Sequence, residues 1–420
     1  MMNKDIARTM AAKVQELSRN FPCVMVTGAR QVGKSTLLRS LLPEGMRYVT
    51  LDDERALARA QEDPIGFLEE CGSPLCIDEV QYEPRLLRAI KLRVDETGDS
   101  GQYWLTGSQR FHLMKGACES LAGRIGLVEL YSLSQSEVAG RGGSAEPFYP
   151  EEIKKRLSAP SCDISELYER IWRGGYPRLY RYADTTQEDY FSAYLHTYIT
   201  RDVRALTQVG DTSAFMRFMR SVAARSGQQL VYADLARDAD VSPNTAKNWL
   251  SVLETSGVVD ILPPYYVNTS KRLAKSPKVY FADTGFCSWL GGWDTPRSLM
   301  YGAMAGAMLE TWVYGQLRRS FVNRGIRPRL SYYRSGNGAE IDFVLEMNGK
   351  LYPLEVKRSS SPKLTDLRAA ETMPLPPGAE LQPGVVFCTA TEILPLGKGC
   401  YAYPASMIYG MVGFYVEKLK

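Results

Sequence analysis

The sequence predicts an α/β protein organised around a parallel sheet, and three observations carry that expectation. Short apolar runs recur at Pro22–Thr27, Tyr48–Leu51, Leu75–Ile77, Tyr103–Leu105 and Ile125–Leu130, with helix-like segments between them, the alternation that a parallel sheet requires. The first run passes through a glycine loop straight into Lys34–Leu42, which has helical spacing. The 420-residue chain is 45% hydrophobic and 23% charged, ordinary values for a globular protein.

Composition shifts divide the chain into four expected units: 1–145, the strand-and-helix core; 146–226, mainly helical and interrupted at Gly174–Pro177; 227–290, two short helices and a strand pair; and 291–420, a long helix, three strands, a helix and another strand. No stretch approaches the ~20 apolar residues of a membrane span, and the first thirteen residues have no signal-peptide character. The expected location is cytoplasmic, with no membrane partner. Eight cysteines without a CxxC pair read as small buried hydrophobes, and two histidines make a histidine-ligated zinc site or a Ser-His-Asp triad improbable. Chemistry must therefore rest on carboxylates, Lys, Arg and hydroxyls.

Gly28-Ala29-Arg30-Gln31-Val32-Gly33-Lys34-Ser35, followed by Thr36, matches GxxxxGK[ST] between a strand and a helix. Such a loop turns backbone N–H groups toward phosphate oxygens at a helix N-terminus. Lys34 would neutralise the β- and γ-phosphates and Ser35 would ligate Mg²⁺. Leu75–Ile77 runs into Asp78 and Glu79; Asp78 would hold Mg²⁺ through water and Glu79 would polarise the attacking water. At the end of the next strand, Thr106 or Ser108 is placed to sense the γ-phosphate, or marks only a strand-to-turn transition. Arg124, before Ile125–Leu130, is either an arginine reaching a neighbouring subunit's nucleotide or a plain surface residue.

Val231–Ala236 and the segment opened by Ser242-Pro243-Asn244 have helix-turn-helix spacing, with Ser as cap and Pro in the first turn. Asn244, Thr245, Lys247 and Asn248 form the expected exposed face, suited to DNA. Lys271, Arg272, Lys275 and Lys278 make a basic loop suited to a phosphate backbone. Packing against another subunit is the alternative use of such a module.

In the last unit Asp342 lies on one strand candidate, and Glu355-Val356-Lys357 on the next. If adjacent, Asp342 and Glu355 would hold one divalent metal, Lys357 would orient a water, and Glu310 on the preceding helix would be an outer carboxylate. Six arginines between Thr311 and Ala339, with no acid among them, offer phosphates a basic surface or are in part a solvated helix face.

The order of phosphate loop, acidic strand end, polar strand end and pre-strand arginine resembles the AAA-type P-loop ATPases over the first half of the chain. The resemblance implies self-association as a hexamer or another ring, with Arg124 acting across it. Gly174-Gly175-Tyr176-Pro177 looks like the GxP element that closes a helical lid on the base, with Pro177 at the nucleotide and Arg178 as a second sensor. The Glu310, Asp342, Glu355 and Lys357 set is similar to the PD-(D/E)xK nuclease fold. With Tyr198-Ile199-Thr200-Arg201-Asp202 and Tyr280-Phe281-Ala282-Asp283-Thr284-Gly285, nearly the whole chain resembles a prokaryotic family of AAA-type ATPases. Its members have a helical lid, a winged helix and a C-terminal restriction-endonuclease-like domain. The expectation is an ATP- and Mg²⁺-dependent ATPase that remodels or translocates on branched or structured DNA, with a metal-dependent nuclease activity as a further possibility. The rival expectation is a nucleotide-gated signalling switch whose C-terminal domains bind a protein; a transcription regulator is a third.

Overall fold

The computed structural model describes residues 6–107, 120–156, 161–182, 184–198, 211–267 and 276–408, so that Ser108, Lys271, Arg272 and Lys275 lie outside the described residues. α1 (Ala11–Asn20) leads to β1 (Cys23–Thr27), and the glycine loop leads from β1 to α2 (Lys34–Leu41). β2 (Arg47–Thr50), α3 (Glu54–Glu62), α4 (Pro64–Cys71), β3 (Leu75–Asp78), α5 (Leu86–Thr97), β4 (Tyr103–Gly107) and β5 (Ile125–Glu129) complete the first unit. The β1, β3 and β4 sequences are almost continuously apolar because each strand is buried on both faces.

These strands form one parallel sheet in the order β2-β3-β4-β1-β5. β4 therefore lies between the strand that feeds the glycine loop and the strand that ends in Asp78. Thr27 pairs with Gly107 and Ile77 with Leu105, which brings the C-terminal ends of β1, β3 and β4 to one edge of the sheet. Ligands of open parallel sheets gather at that edge.

The helical unit contains α6 (Gln135–Val138), α7 (Ile164–Arg173), α8 (Arg178–Arg181), α9 (Gln187–Tyr198) and α10 (Thr212–Ala223). The expected interruption falls between α7 and α8. Gly174 has φ 73°, and a Cβ there would meet the Asp283 carboxylate at 2.2 Å, so glycine is required by both backbone and space. Next come β6 (Gln228–Gln229), α11 (Tyr232–Ala239), α12 (Pro243–Thr255), β7 (Val259–Leu262) and β8 (Lys278–Phe281), with an antiparallel sheet in the order β6-β8-β7. Asp240 takes the left-handed conformation at the turn (φ 58°), and the Ser242 hydroxyl accepts the Thr245 N–H to start α12.

The last unit departs from its expected form. The long helix is two, α14 (Pro296–Tyr301) and α15 (Ala305–Val322), after a short α13 (Thr284–Leu290). Gly302 breaks the run in an extended conformation, and a Cβ there would lie 2.3 Å from the Trp293 indole. The sheet has seven strands rather than four: β9 (Arg329–Arg334), β10 (Glu340–Met347), β11 (Lys350–Val356), β12 (Glu380–Leu381), β13 (Val385–Cys388), β14 (Leu394–Gly397) and β15 (Cys400–Pro404). The segment expected as a helix after β11 is a 3-10 turn run, Leu364–Thr372. One hydrophobic core runs from Val24 through Trp249 and Trp312 to Ile408, so the four units share an interior. Six of the seven cysteines among the described residues are buried and the seventh is half-buried; burial pushes the Cys23 and Cys76 thiols up to about 12. Among the described residues no helix is long and apolar enough to cross a membrane.

Candidate functional site

The glycine loop has the backbone that its motif demands. Gly28 (φ 148°) lies so close to β5's exit that a Cβ would meet the Leu130 carbonyl oxygen at 2.1 Å; Gln31 (φ 60°) and Gly33 (φ 96°) are also left-handed. Ala29 and Val32 are buried, Arg30 is half-buried, and Gln31 and Thr36 face outward. The Lys34 ammonium donates to the Ala29 and Gly28 carbonyls at 2.9 and 3.1 Å, which holds it inside the loop. Ser35 Oγ donates to Asp78 Oδ1 at 2.7 Å, and Thr106 Oγ1 donates to the same oxygen at 2.5 Å while accepting the Glu79 N–H at 3.0 Å.

This set of two hydroxyls and a carboxylate is hard-oxygen chemistry and fits Mg²⁺. Glu79 itself is left-handed (φ 59°) and takes a hydrogen bond from Gln81. Of the expected pair of sensors, Thr106 reaches the site. Arg124 sits at the opposite edge of the sheet, where Cys23 pairs with Ile125, and is bound to Asp95. From there it cannot reach its own chain's loop. Pro177 lies beside the loop, 3.9 Å from where a Gly33 Cβ would be, while the Arg178 side chain is exposed over the Tyr182 ring.

Two supports of this site lie outside its nucleotide motifs: Arg8, and Asp283 of the Tyr280–Gly285 segment, which the sequence marks only through the family resemblance. Arg8, only 9% exposed, donates to the Val32 carbonyl at 2.7 Å, the Tyr131 carbonyl at 2.6 Å and Glu137 at 3.1 Å, tying the chain before α1 to the loop. Asp283 caps α13 through the Gly285 and Phe286 N–H groups; that much is a familiar Asp-at-the-cap pattern. Its second oxygen accepts the Gly175 N–H at 2.8 Å and the Ser132 hydroxyl at 2.7 Å, and Ser132 in turn accepts from buried Arg319. Burial lowers the Arg319 pKa, opposed by Asp283 and Glu137. One carboxylate thus joins the exit of β5, the Gly174–Pro177 element and α15. The turn after α12 also touches the loop: a Cβ on Gly257 would lie 3.4 Å from the Ala29 nitrogen.

The C-terminal carboxylates come together, but not as an open metal site. β10 and β11 are antiparallel with Phe343 opposite Leu354, which sets Asp342 beside Glu355, and a register shift between Ile341 and Val344 re-aims the strand there. The Glu355 carboxylate accepts the Asp342 N–H at 3.2 Å and the Lys357 ammonium at 2.5 Å; Asp342 accepts the Val356 N–H at 2.9 Å. Lys278, expected on a DNA-facing loop, is instead 3% exposed and lies 2.9 Å from Glu310, 2.5 Å from Glu340 and 3.5 Å from Asp342. That expectation is corrected, because a buried ammonium among carboxylates cannot meet a phosphate. The Tyr280 hydroxyl donates to Glu310 at 2.6 Å.

Burial, reinforced by Asp342, raises the Glu310 and Glu355 carboxyl pKa values above the usual range. Desolvation works to lower Lys278, but Glu310, Asp342 and Glu340 outweigh it and keep the amine protonated. Among the described residues no group of three His, Cys, Asp or Glu side chains is arranged to hold a metal. Glu310, Asp342 and Glu355, the expected metal set, lie together with Lys278 and Lys357 as an ion-paired cluster.

The basic stretch of 311–339 is divided: Arg319 is buried and Arg318 and Arg324 are half-buried in the fold, whereas Arg327, Arg329 and Arg334 are exposed. Arg318 meets Asp260 and Tyr314, Arg324 the Ala145 carbonyl, Arg329 Glu346 and Arg334 Gln229. By contrast, Asn244, Lys247 and Asn248 are exposed on α12, with Thr245 half-buried beside them.

Fold and site together define a P-loop ATPase of the AAA type. A family model described as an AAA domain matches residues 20–139, and two described as domains of unknown function, DUF8612 and DUF4143, match 164–297 and 305–408. An uncharacterized protein of Mycobacterium tuberculosis, Rv2008c, is 31% identical over 407 residues, covering 93% of this chain and 85% of its own length; its Mycobacterium bovis counterpart, Mb2031c, matches equally. The chain belongs to the family of these mycobacterial proteins. Among solved structures, a Walker-type ATPase of Pyrococcus abyssi is similar over 67% of this chain and 94% of its own, at 16% identity and a TM-score of 0.43. A signal transduction ATPase with numerous domains from Pyrococcus horikoshii matches over 71% of this chain and 44% of its own, at 14% identity and a TM-score of 0.24.

Proposed function

We propose that this P-loop ATPase hydrolyses ATP with Mg²⁺ at the Lys34 loop and couples turnover to DNA held on the exposed face of α12. The observation that carries the hydrolytic half is the convergence of Ser35 and Thr106 on one oxygen of Asp78, at 2.7 and 2.5 Å, beneath a loop of phosphate-binding shape. In this reading Lys34 neutralises the terminal phosphates, Glu79 orients the attacking water, and Thr106 links the water-side residue to the acid below it. Mg²⁺, when bound with ATP, neutralises charge on the β- and γ-phosphates. Arg124, at the far edge of the sheet, acts on a neighbouring copy's nucleotide in a ring. Pro177, beside the loop, brings the helical unit to the base, with Arg178 as its second sensor.

The helix, strand, two helices and strand pair of 212–281 support the reading of that unit as a winged helix, and exposed Asn244, Lys247 and Asn248 support DNA as its partner. The helix followed by β9, β10 and β11, with Asp342 beside Glu355, supports a nuclease-like fold for the last unit. A second reading, a nucleotide-gated switch for a protein partner, is favoured by the contact of Gly257 with the loop backbone, through which nucleotide occupancy would be felt by α12. ATP hydrolysis measured with single-stranded, duplex, forked and four-way DNA at two salt concentrations separates the two readings. Stimulation that weakens with salt supports DNA coupling; a rate indifferent to every DNA at low salt eliminates it.

A further inference from the structure

We propose that the Lys278 ammonium is the resident cation of the C-terminal carboxylate cluster, standing where a metal-dependent nuclease domain would carry its divalent ion. The metal implied by the nuclease-like arrangement does not fit the residues as they lie. The carboxylates of the two strand acids are already paired: Asp342 Oδ2 accepts the Val356 N–H and Asp342 Oδ1 lies 3.5 Å from the Lys278 ammonium, while Glu355 Oε2 accepts the Asp342 N–H and Glu355 Oε1 the Lys357 ammonium. The outer acid is engaged in the same way, since Glu310 Oε1 accepts from Lys278 at 2.9 Å and from the Tyr280 hydroxyl at 2.6 Å.

The cation does not come from the nuclease-like sheet. Lys278 opens β8, the central strand of the β6-β8-β7 sheet, and its ammonium lies 5.5 Å from the Tyr332 ring centroid of β9. A divalent ion would have to displace an ammonium whose strand is paired on both sides. It would also strand a buried positive charge, which is costly unless paired. Two consequences follow. The last unit takes up no divalent ion at this cluster and does not cut DNA there. The ion pairs fasten the sheet that follows α12 to the C-terminal sheet, so the two move as one body. Neither consequence depends on the ATPase reading, and the tests below contain no nucleotide.

The sign of a stability change distinguishes a filled site from an empty one. In EDTA, Glu340→Gln is expected to lower the unfolding temperature by several degrees, because the buried ammonium loses the carboxylate that lies 2.5 Å from it. An open acidic site without metal would gain stability from the same change, through relief of repulsion, and a raised unfolding temperature overturns the proposal. The second measurement is Mn²⁺ uptake followed by electron paramagnetic resonance. The wild-type protein is expected to hold no Mn²⁺ that Asp342→Asn removes, whereas Lys278→Met, which vacates the cation position, gains one equivalent that Asp342→Asn abolishes. A wild-type equivalent lost in Asp342→Asn contradicts the proposal, as does a folded Lys278→Met protein that takes up none. Should Lys278→Met not fold, the Glu340→Gln result in EDTA still decides.

Discussion

The Lys34 loop and the Glu310–Asp342–Glu355 cluster use the same few side-chain types in opposite ways. At the loop, the ammonium rests on backbone carbonyls and the acid, Asp78, is met by the hydroxyls of Ser35 and Thr106. In the cluster, the Lys278 ammonium lies among Glu310, Glu340 and Asp342, the Lys357 ammonium meets Glu355, and backbone N–H groups meet the second oxygens of Asp342 and Glu355. Hydroxyls can turn and leave their oxygen to a hard cation, whereas a buried ammonium brings a positive charge that a second cation must displace. What decides whether two strand-end carboxylates form a metal site is therefore the donors that reach them, more than the carboxylates themselves.

Asp283 offers the severest way to break this comparison, because it is an amide-bound acid of the second kind that holds the first site together. Asp283→Ala should cost roughly 3–5 kcal/mol, read by chemical unfolding, since it unpairs buried donors on three elements. An unaltered midpoint would mean that the loop is positioned without it. Lys34→Ala should leave the fold intact and reduce phosphate release at least about 100-fold, the scale of a lost transition-state charge partner. Gly257→Val tests the approach of the turn after α12 to the loop: Gly257 has φ 75°, and a β-branched side chain strained there beside Ala29 should weaken binding of a fluorescent ATP analogue about tenfold, or ~1.4 kcal/mol. The smallest intrinsic effect belongs to the exposed face. Replacing Asn244, Lys247 and Asn248 together by alanine should change stability by no more than about 0.5 kcal/mol and leave basal hydrolysis alone, while abolishing any stimulation by DNA. Stimulation that survives would move the DNA contact elsewhere.

The legibility of the two sites followed the sequence separation of their parts. The strands and the loop of the first unit were readable because Cys23–Thr27, Gly28–Ser35 and Leu75–Asp78 are each local patterns with a local cause. The expectation that Asp342 and Glu355 are neighbours also came from a short-range argument, thirteen positions across one hairpin, and the register agrees with it. Lys278 is the complementary case. Within the run of cations from Lys271 onward it looks like any other, and only its pairing with residues 32 to 64 positions away sets it apart. Arg318 and Arg319 are cases of the same kind, since the periodicity of α15 does not reveal that Asp260 and Ser132 wait on its buried side. The two helices in place of one long helix trace to Trp293 filling the space beside Gly302, again a contact that spacing alone does not report.

The contrast between the two sites is tested most directly by counting Mn²⁺ equivalents on the wild-type protein with and without a non-hydrolysable ATP analogue. The account predicts one equivalent that appears only with the analogue, is lost in Asp78→Asn and persists in Asp342→Asn. An equivalent bound without nucleotide and lost in Asp342→Asn would contradict it.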